Sequence, residues 1–151
     1  HHEQWDEFVV TEHEENGMTC VSCHDPHKRT IWDGDGITKT CASCHAEQQS
    51  TTHHGSSATC IDCHMPYAAK SGTKIGESGF RGDIRSHLMK ITVDAESMFT
   101  EDGSAVRDDA GREASLSPAY VCLACHNDDP NDAIPDKTLE QAVAAAKDMH
   151  K

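Results

Sequence analysis

At 151 residues the chain has the length of one domain, yet its 36% hydrophobic and 5% aromatic residues fall short of the roughly 45–50% apolar content of an ordinary globular domain. That excludes a core built from its own side chains alone. With 13 basic against 26 acidic residues and a net charge of -13, a nucleic-acid partner is excluded as well, because such binding needs basic stripes.

The N-terminus, His1-His2-Glu3-Gln4, has neither a basic n-region nor an apolar h-region and fits a mature, processed end or a cloning remnant. Next come four copies of one five-residue pattern, Cys20-Val-Ser-Cys23-His24, Cys41-Ala-Ser-Cys44-His45, Cys60-Ile-Asp-Cys63-His64 and Cys122-Leu-Ala-Cys125-His126, which together use all eight cysteines. C-x-x-C-H is the attachment signature of c-type haem. Two thiols three positions apart add to the two vinyl groups on one porphyrin edge, and the histidine that follows reaches the iron. Zinc sites and disulfide frameworks also use paired cysteines, but neither requires a histidine after every second cysteine. Four c-type haems, with haem iron held by His24, His45, His64 and His126, are therefore expected. With about 38 residues per haem, the macrocycles themselves form the core, since buried apolar area contributes about 25 cal/mol per Å² whichever molecule supplies it.

A shift of 40 residues superposes Thr11, His13, Thr19, Cys20, Cys23, His24 and Pro26 on Thr51, His53, Thr59, Cys60, Cys63, His64 and Pro66. The first and third motifs thus share an upstream histidine and equivalent local structure. Twelve histidines less four proximal ones leave eight for four distal positions, so bis-histidine ligation is favoured over methionine, of which Met18, Met65, Met89, Met98 and Met149 are available. The expected distal set is His13, His27, His53 and His87. His13 and His53 follow from the repeat, and His87 is the one histidine between the third and fourth motifs. His27 lies too close to His24 along the chain to reach the opposite face of the same haem, so a neighbouring haem is its expected target. His54 rivals His53, and His1, His2 and His150 are reserves.

The spacer 65–121 is rich in glycine and charge and reads as coil, with a small hairpin around Asp102-Gly103. Within it Arg81, Arg85 and Lys90, with Lys28 and Arg29 upstream, are candidate counter-charges for haem propionates. A C-terminal helix is expected over 136–150, capped by Asp136, with Leu139, Val143, Ala146 and His150 on one face. It reads as a surface helix with a frayed end. No segment approaches the 18 apolar residues of a membrane span. The expected architecture is a single domain, 1–151, mostly coil with short α-helices and little β, a multihaem cytochrome c wrapped around a stacked haem array.

Cys60-Ile-Asp-Cys-His-Met-Pro66 followed by Gly82-Asp-Ile-Arg-Ser-His-Leu-Met-Lys-Ile91, with the late Ala119-Tyr-Val-Cys-Leu-Ala-Cys-His126, resembles the multihaem cytochromes related to ammonia-forming nitrite reductase. Within that group the chain is similar to the OmcE-type tetrahaem cytochromes. The resemblance implies an exported electron carrier, extracellular or at the cell surface, with identical subunits joined head to tail in a filament and with other redox proteins or extracellular acceptors as partners. A periplasmic shuttle is the alternative, and an oxyanion reductase a third reading. The resemblance also supports His87, within Arg-Ser-His-Leu, as a distal ligand, along with His13, His27 and His53 or His54. Nitrite reductases of the group carry a lysine variant of one motif, whereas all four motifs here end in histidine, which favours a carrier over an enzyme. Four ferric bis-histidine haems would take the net charge to about -17, and reduction to about -21.

A chain cored by its cofactors is expected to be unfolded without them. Haem-free protein from cells lacking the attachment machinery should give a random-coil far-ultraviolet circular dichroism spectrum, and a cooperative melt of that material would contradict this reading.

Overall fold

The computed structural model describes residues 3–30, 35–50, 58–74, 82–93, 98 and 115–150. The expected hairpin at Asp102-Gly103, as well as His1, His2, His53, His54 and Arg81, lies outside them. The described chain is mostly coil, with short helices and one small sheet, as a chain poor in long apolar runs dictates. The helices are α1 (Glu3–Phe8), α2 (Glu12–Glu15), α3 (Cys20–Cys23), α4 (Cys60–His64), α5 (Pro118–Val121) and α6 (Leu139–Asp148), with 3-10 turns at Cys41–Ser43 and Glu47–Ser50.

Each element is closed by local chemistry. Thr11 caps α2, and Gly17, at φ 78, ends it. Gly17 N–H donates to Glu14 O (2.8 Å) and Met18 N–H to His13 O (3.0 Å), the paired bonds of a Schellman motif, which needs a left-handed residue best supplied by glycine. His13 is thereby held in a rigid turn. At the other end of the chain Thr138 N–H donates to Gln141 Oε1 (2.9 Å) and Gln141 N–H to Thr138 Oγ1 (3.3 Å), a reciprocal capping box. The helix therefore starts at Leu139, later than the expected 136, and Asp136 is not its cap. The Asp136 carboxylate instead accepts from Asp128 N–H at 2.8 Å.

The segment expected to be coil contains two antiparallel strands, β1 (Tyr67–Lys74) and β2 (Gly82–Arg85), paired Tyr67↔Arg85, Ala69↔Ile84 and Lys74↔Gly82 with irregular register between them. β2 leads into a short apolar cluster of Leu88, Met98, Leu116 and Val121, with Ile91, Tyr120 and Cys122 packed against it. Ile91 and Leu116 form a parallel bridge, so the middle of the long spacer is joined to its C-terminal end here. α6 packs on α5 through Ala142, which is fully buried.

The loop between the first two motifs folds back on itself. Asp25 N–H donates to Gly36 O (2.9 Å), Gly36 N–H to Arg29 O (2.8 Å) and Thr38 N–H to Cys23 O (2.8 Å). Gly36 is buried, and a Cβ there would collide with the Arg29 carbonyl. Gly36→Ala should cost about 1–3 kcal/mol and lower the melting temperature of the holoprotein, measured by calorimetry; an unchanged melt would show that this loop is not close-packed.

Candidate haem sites

Three of the four motifs are preceded by threonine: Thr19, Thr40 and Thr59. Thr19 N–H donates to Ser22 Oγ (3.0 Å), and Thr59 N–H to Asp62 Oδ2 (2.9 Å), each starting a single helical turn. Within the turn His24 N–H reaches Cys20 O (2.9 Å), His45 N–H Cys41 O (2.8 Å) and His126 N–H Cys122 O (3.1 Å). Residues i, i+3 and i+4 of a helix lie on one face, so each turn presents two sulfurs and one imidazole to the same side. In the fourth motif α5 supplies the lead-in, with Ser117 as its cap and Pro118 in its first turn.

No disulfide joins any of the eight cysteines. Among the described residues no three His, Cys, Asp or Glu side chains gather as a zinc site requires. The thiols do cluster between motifs. Burial raises the Cys41 thiol, with the neighbouring Cys60 and Cys23 adding to the effect. Cys63 is pushed up to about 11, first by burial and then by Cys122, Asp62, Cys125 and Cys60. Motif two therefore lies beside motifs one and three, and motif three beside motif four.

The histidines pair across the fold. His24 faces His87 with ring centroids 6.2 Å apart, His45 faces His13 at 5.8 Å, and His64 faces His150 at 5.8 Å. An imidazole nitrogen bonds a first-row metal at about 2 Å. With roughly another 1 Å from nitrogen to ring centre on each side, two imidazoles trans to one iron have centroids about 6 Å apart. All three pairs meet that requirement, and each joins one motif histidine to one from outside the motifs. The interplanar angles, 70° for His13–His45, 48° for His24–His87 and 27° for His64–His150, differ as rotation about an axial bond allows.

Hydrogen bonds set the ring tautomers. His64 Nδ1–H donates to Met89 O at 2.7 Å, and His126 Nδ1–H to Pro135 O. Both leave Nε2 with its lone pair for a metal, the arrangement that orients ligating histidines. Met89 sits at φ 58, a left-handed conformation costing about 1–3 kcal/mol in a residue other than glycine, and its carbonyl is the one that orients His64. In the pair of His24 and His87 both Nδ1 atoms are buried without a hydrogen-bond partner, an unmet polar demand, so neither ring's tautomer is fixed as that of His64 is. Burial, with the neighbouring His45, lowers the pKa of His13 despite Glu12. Burial and His24 likewise lower His87, against the opposing effect of the Arg85 backbone. Both shifts favour the neutral imidazole, the form that a metal ion requires.

Two side chains outside the motifs position these groups. The Glu7 carboxylate accepts from Ser86 Oγ (3.0 Å) and His87 N–H (2.7 Å), tying α1 to the loop that presents His87. Arg85 donates to Ile61 O and Met65 O (2.9 Å each) and to Asp62 (3.2 Å), and stacks over Tyr67 at 4.5 Å. Its guanidinium clamps motif three. Burial alone would raise the Asp62 carboxyl, but Thr59 and Arg85 hold it below its ordinary value.

Of the expected distal histidines, His87 and His13 are brought to motif histidines, and His13 meets the second motif rather than its own. His27 is exposed, and its ring meets no other described histidine. His53 lies outside the described residues. His150, a reserve at the end of a helix read as frayed, is the partner of His64. The signal for it was present, because His150 continues the Leu139, Val143, Ala146 stripe.

Residues 36–151 match the NapC/NirT cytochrome c family, N-terminal region. The chain is 29% identical to the dissimilatory sulfite reductase MccA of Wolinella succinogenes, over 65% of this chain and 18% of that protein. It shares the fold of the Wolinella succinogenes octahaem sulfite reductase MccA in its form II structure, with a TM-score of 0.60 at 23% identity over 78% of this chain and 24% of that one. The chain thus spans less than a quarter of the length of the protein it resembles in sequence. These findings support a multihaem c-type cytochrome and not the expected OmcE-type filament cytochrome. With the haem-binding signatures, the short-helix fold and a family match over most of its length, the chain belongs to the NapC/NirT family of multihaem c-type cytochromes.

Proposed function

We propose that the chain is an electron conduit carrying four c-type haems, in which His24 with His87 and His45 with His13 hold the irons of the first two. The observation that carries this reading is the pairing of motif histidines with distant histidines at the separation that trans ligation demands. A haem supplies one-electron chemistry at a potential tuned by its axial ligands. The protein's part is to hold both imidazoles in place in either oxidation state. The Schellman turn does so for His13 and the Glu7 carboxylate for His87, and fixed ligands mean little rearrangement accompanies electron transfer. For His126 the remaining sequence candidates are His27, His53 and His54, with His1 and His2 in reserve.

Export, to the periplasm or beyond it, follows from haem attachment. Assembly of identical subunits into a filament is the finer reading, supported by the sequence resemblance, by a chain of only about 38 residues per haem and by the exposed His27. With His13 turned inward to His45, His27 alone of the two remains as a ligand offered to a neighbouring subunit. Relatedness to a sulfite reductase favours a second reading, in which the chain feeds electrons to, or forms part of, an oxyanion-reducing enzyme.

Intact mass should show four covalent haems, and ferric electron paramagnetic resonance should show them all low-spin. His87→Ala and His13→Ala should each convert one haem in four to a high-spin, carbon-monoxide-binding form, and the double variant two. Variants that leave the spectrum unchanged would refute the assignment. A native high-spin quarter that responds to sulfite would establish the enzyme reading, and negative-stain images of monodisperse particles would exclude the filament.

A further inference from the structure

The third pair goes beyond both the sequence expectation and the family match. We propose that His150, just beyond the end of α6, is the distal axial ligand of the haem bound by Cys60, Cys63 and His64. This rests on the reading that the third motif carries haem.

Three independent features converge on it. The ring centroids lie 5.8 Å apart, the same separation as between His13 and His45 and close to that between His24 and His87. The proximal ring is already committed, since Nδ1–H of His64 is bound to Met89 O at 2.7 Å, which leaves the lone pair of its Nε2 for a metal. The distal ring is delivered by a fixed element. The capping box of Thr138 and Gln141 sets where α6 starts, and the fully buried Ala142 fixes how it packs on α5. Met149 N–H still bonds Ala146 O at 3.3 Å, so the helical path continues to the residue before His150. His150 itself is exposed on the protein side, as a ligand meant to cover a cofactor face is when only protein atoms surround it.

A simple contact between two surface imidazoles is the competing account. It explains one pair but not why three motif histidines each face a single non-motif histidine at one separation. Axial ligation explains all three with the same geometry. It also gives the C-terminal helix a purpose, because an iron bond ties that helix to the third motif while its packing ties it to the fourth.

The test uses the holoprotein. His150→Ala should turn one haem in four high-spin in the ferric state and let it bind carbon monoxide when reduced, and added imidazole should restore the low-spin spectrum. His150→Met should stay low-spin with one midpoint potential raised, since methionine raises haem potentials relative to histidine. If the alanine variant does not accumulate, the methionine variant decides alone. Four haems by mass with an unchanged spectrum in the alanine variant, or unchanged potentials in the methionine variant, overturn the proposal. Fewer than four haems in the unmodified protein would instead overturn the haem reading on which it rests.

Discussion

The pairing of motif histidines with histidines from distant parts of the chain, at the separation that trans ligation of an iron would demand, is the interaction on which the rest of this structure depends. The described apolar core is one short cluster around Leu88, Leu116 and Val121, too small to organise a chain of this length. Pairing His24 with His87, His45 with His13 and His64 with His150 connects α2, the loop after β2 and the end of α6 to the three motifs. The remaining elements serve that end. Glu7 holds the His87 loop, Arg85 holds the turn of motif three, and the strained Met89 turns its carbonyl to His64.

This division of labour explains why short elements suffice. A helix of four or five residues is far below the length at which an isolated helix is stable, yet α3 and α4 need only place two sulfurs and a nitrogen on one side of a turn. Their threonine and Ser22 or Asp62 caps supply the local definition, and covalent attachment supplies the rest. Clustering of the Cys23, Cys41 and Cys60 thiols and of Cys63 with Cys122 and Cys125 brings consecutive motifs side by side in chain order.

The haem motifs and the coil-rich fold were legible because they rest on local residue patterns. The threonine before the first three motifs was visible as well and marks where each turn begins. What was not legible depends on competition between distant groups. Asp136 is a good N-cap residue, but Asp128 N–H engages its carboxylate and Thr138 caps the helix. β1, with its glycine and two lysines, has little strand character of its own and is set by its pairing with Gly82–Arg85. His13 was read from a repeat that describes sequence neighbours, whereas its ring meets His45 of the second motif, a partner remote along the chain that no local pattern names.

Membership of the NapC/NirT family and relatedness to part of a sulfite reductase leave one question that bears on everything above, namely what ligates each iron. Near-infrared magnetic circular dichroism of the ferric holoprotein reads axial ligand pairs directly, without substitution. Four haems all showing the histidine–histidine charge-transfer band are the result this account predicts. A histidine–methionine band or a high-spin band in place of any of the three paired sites would contradict it.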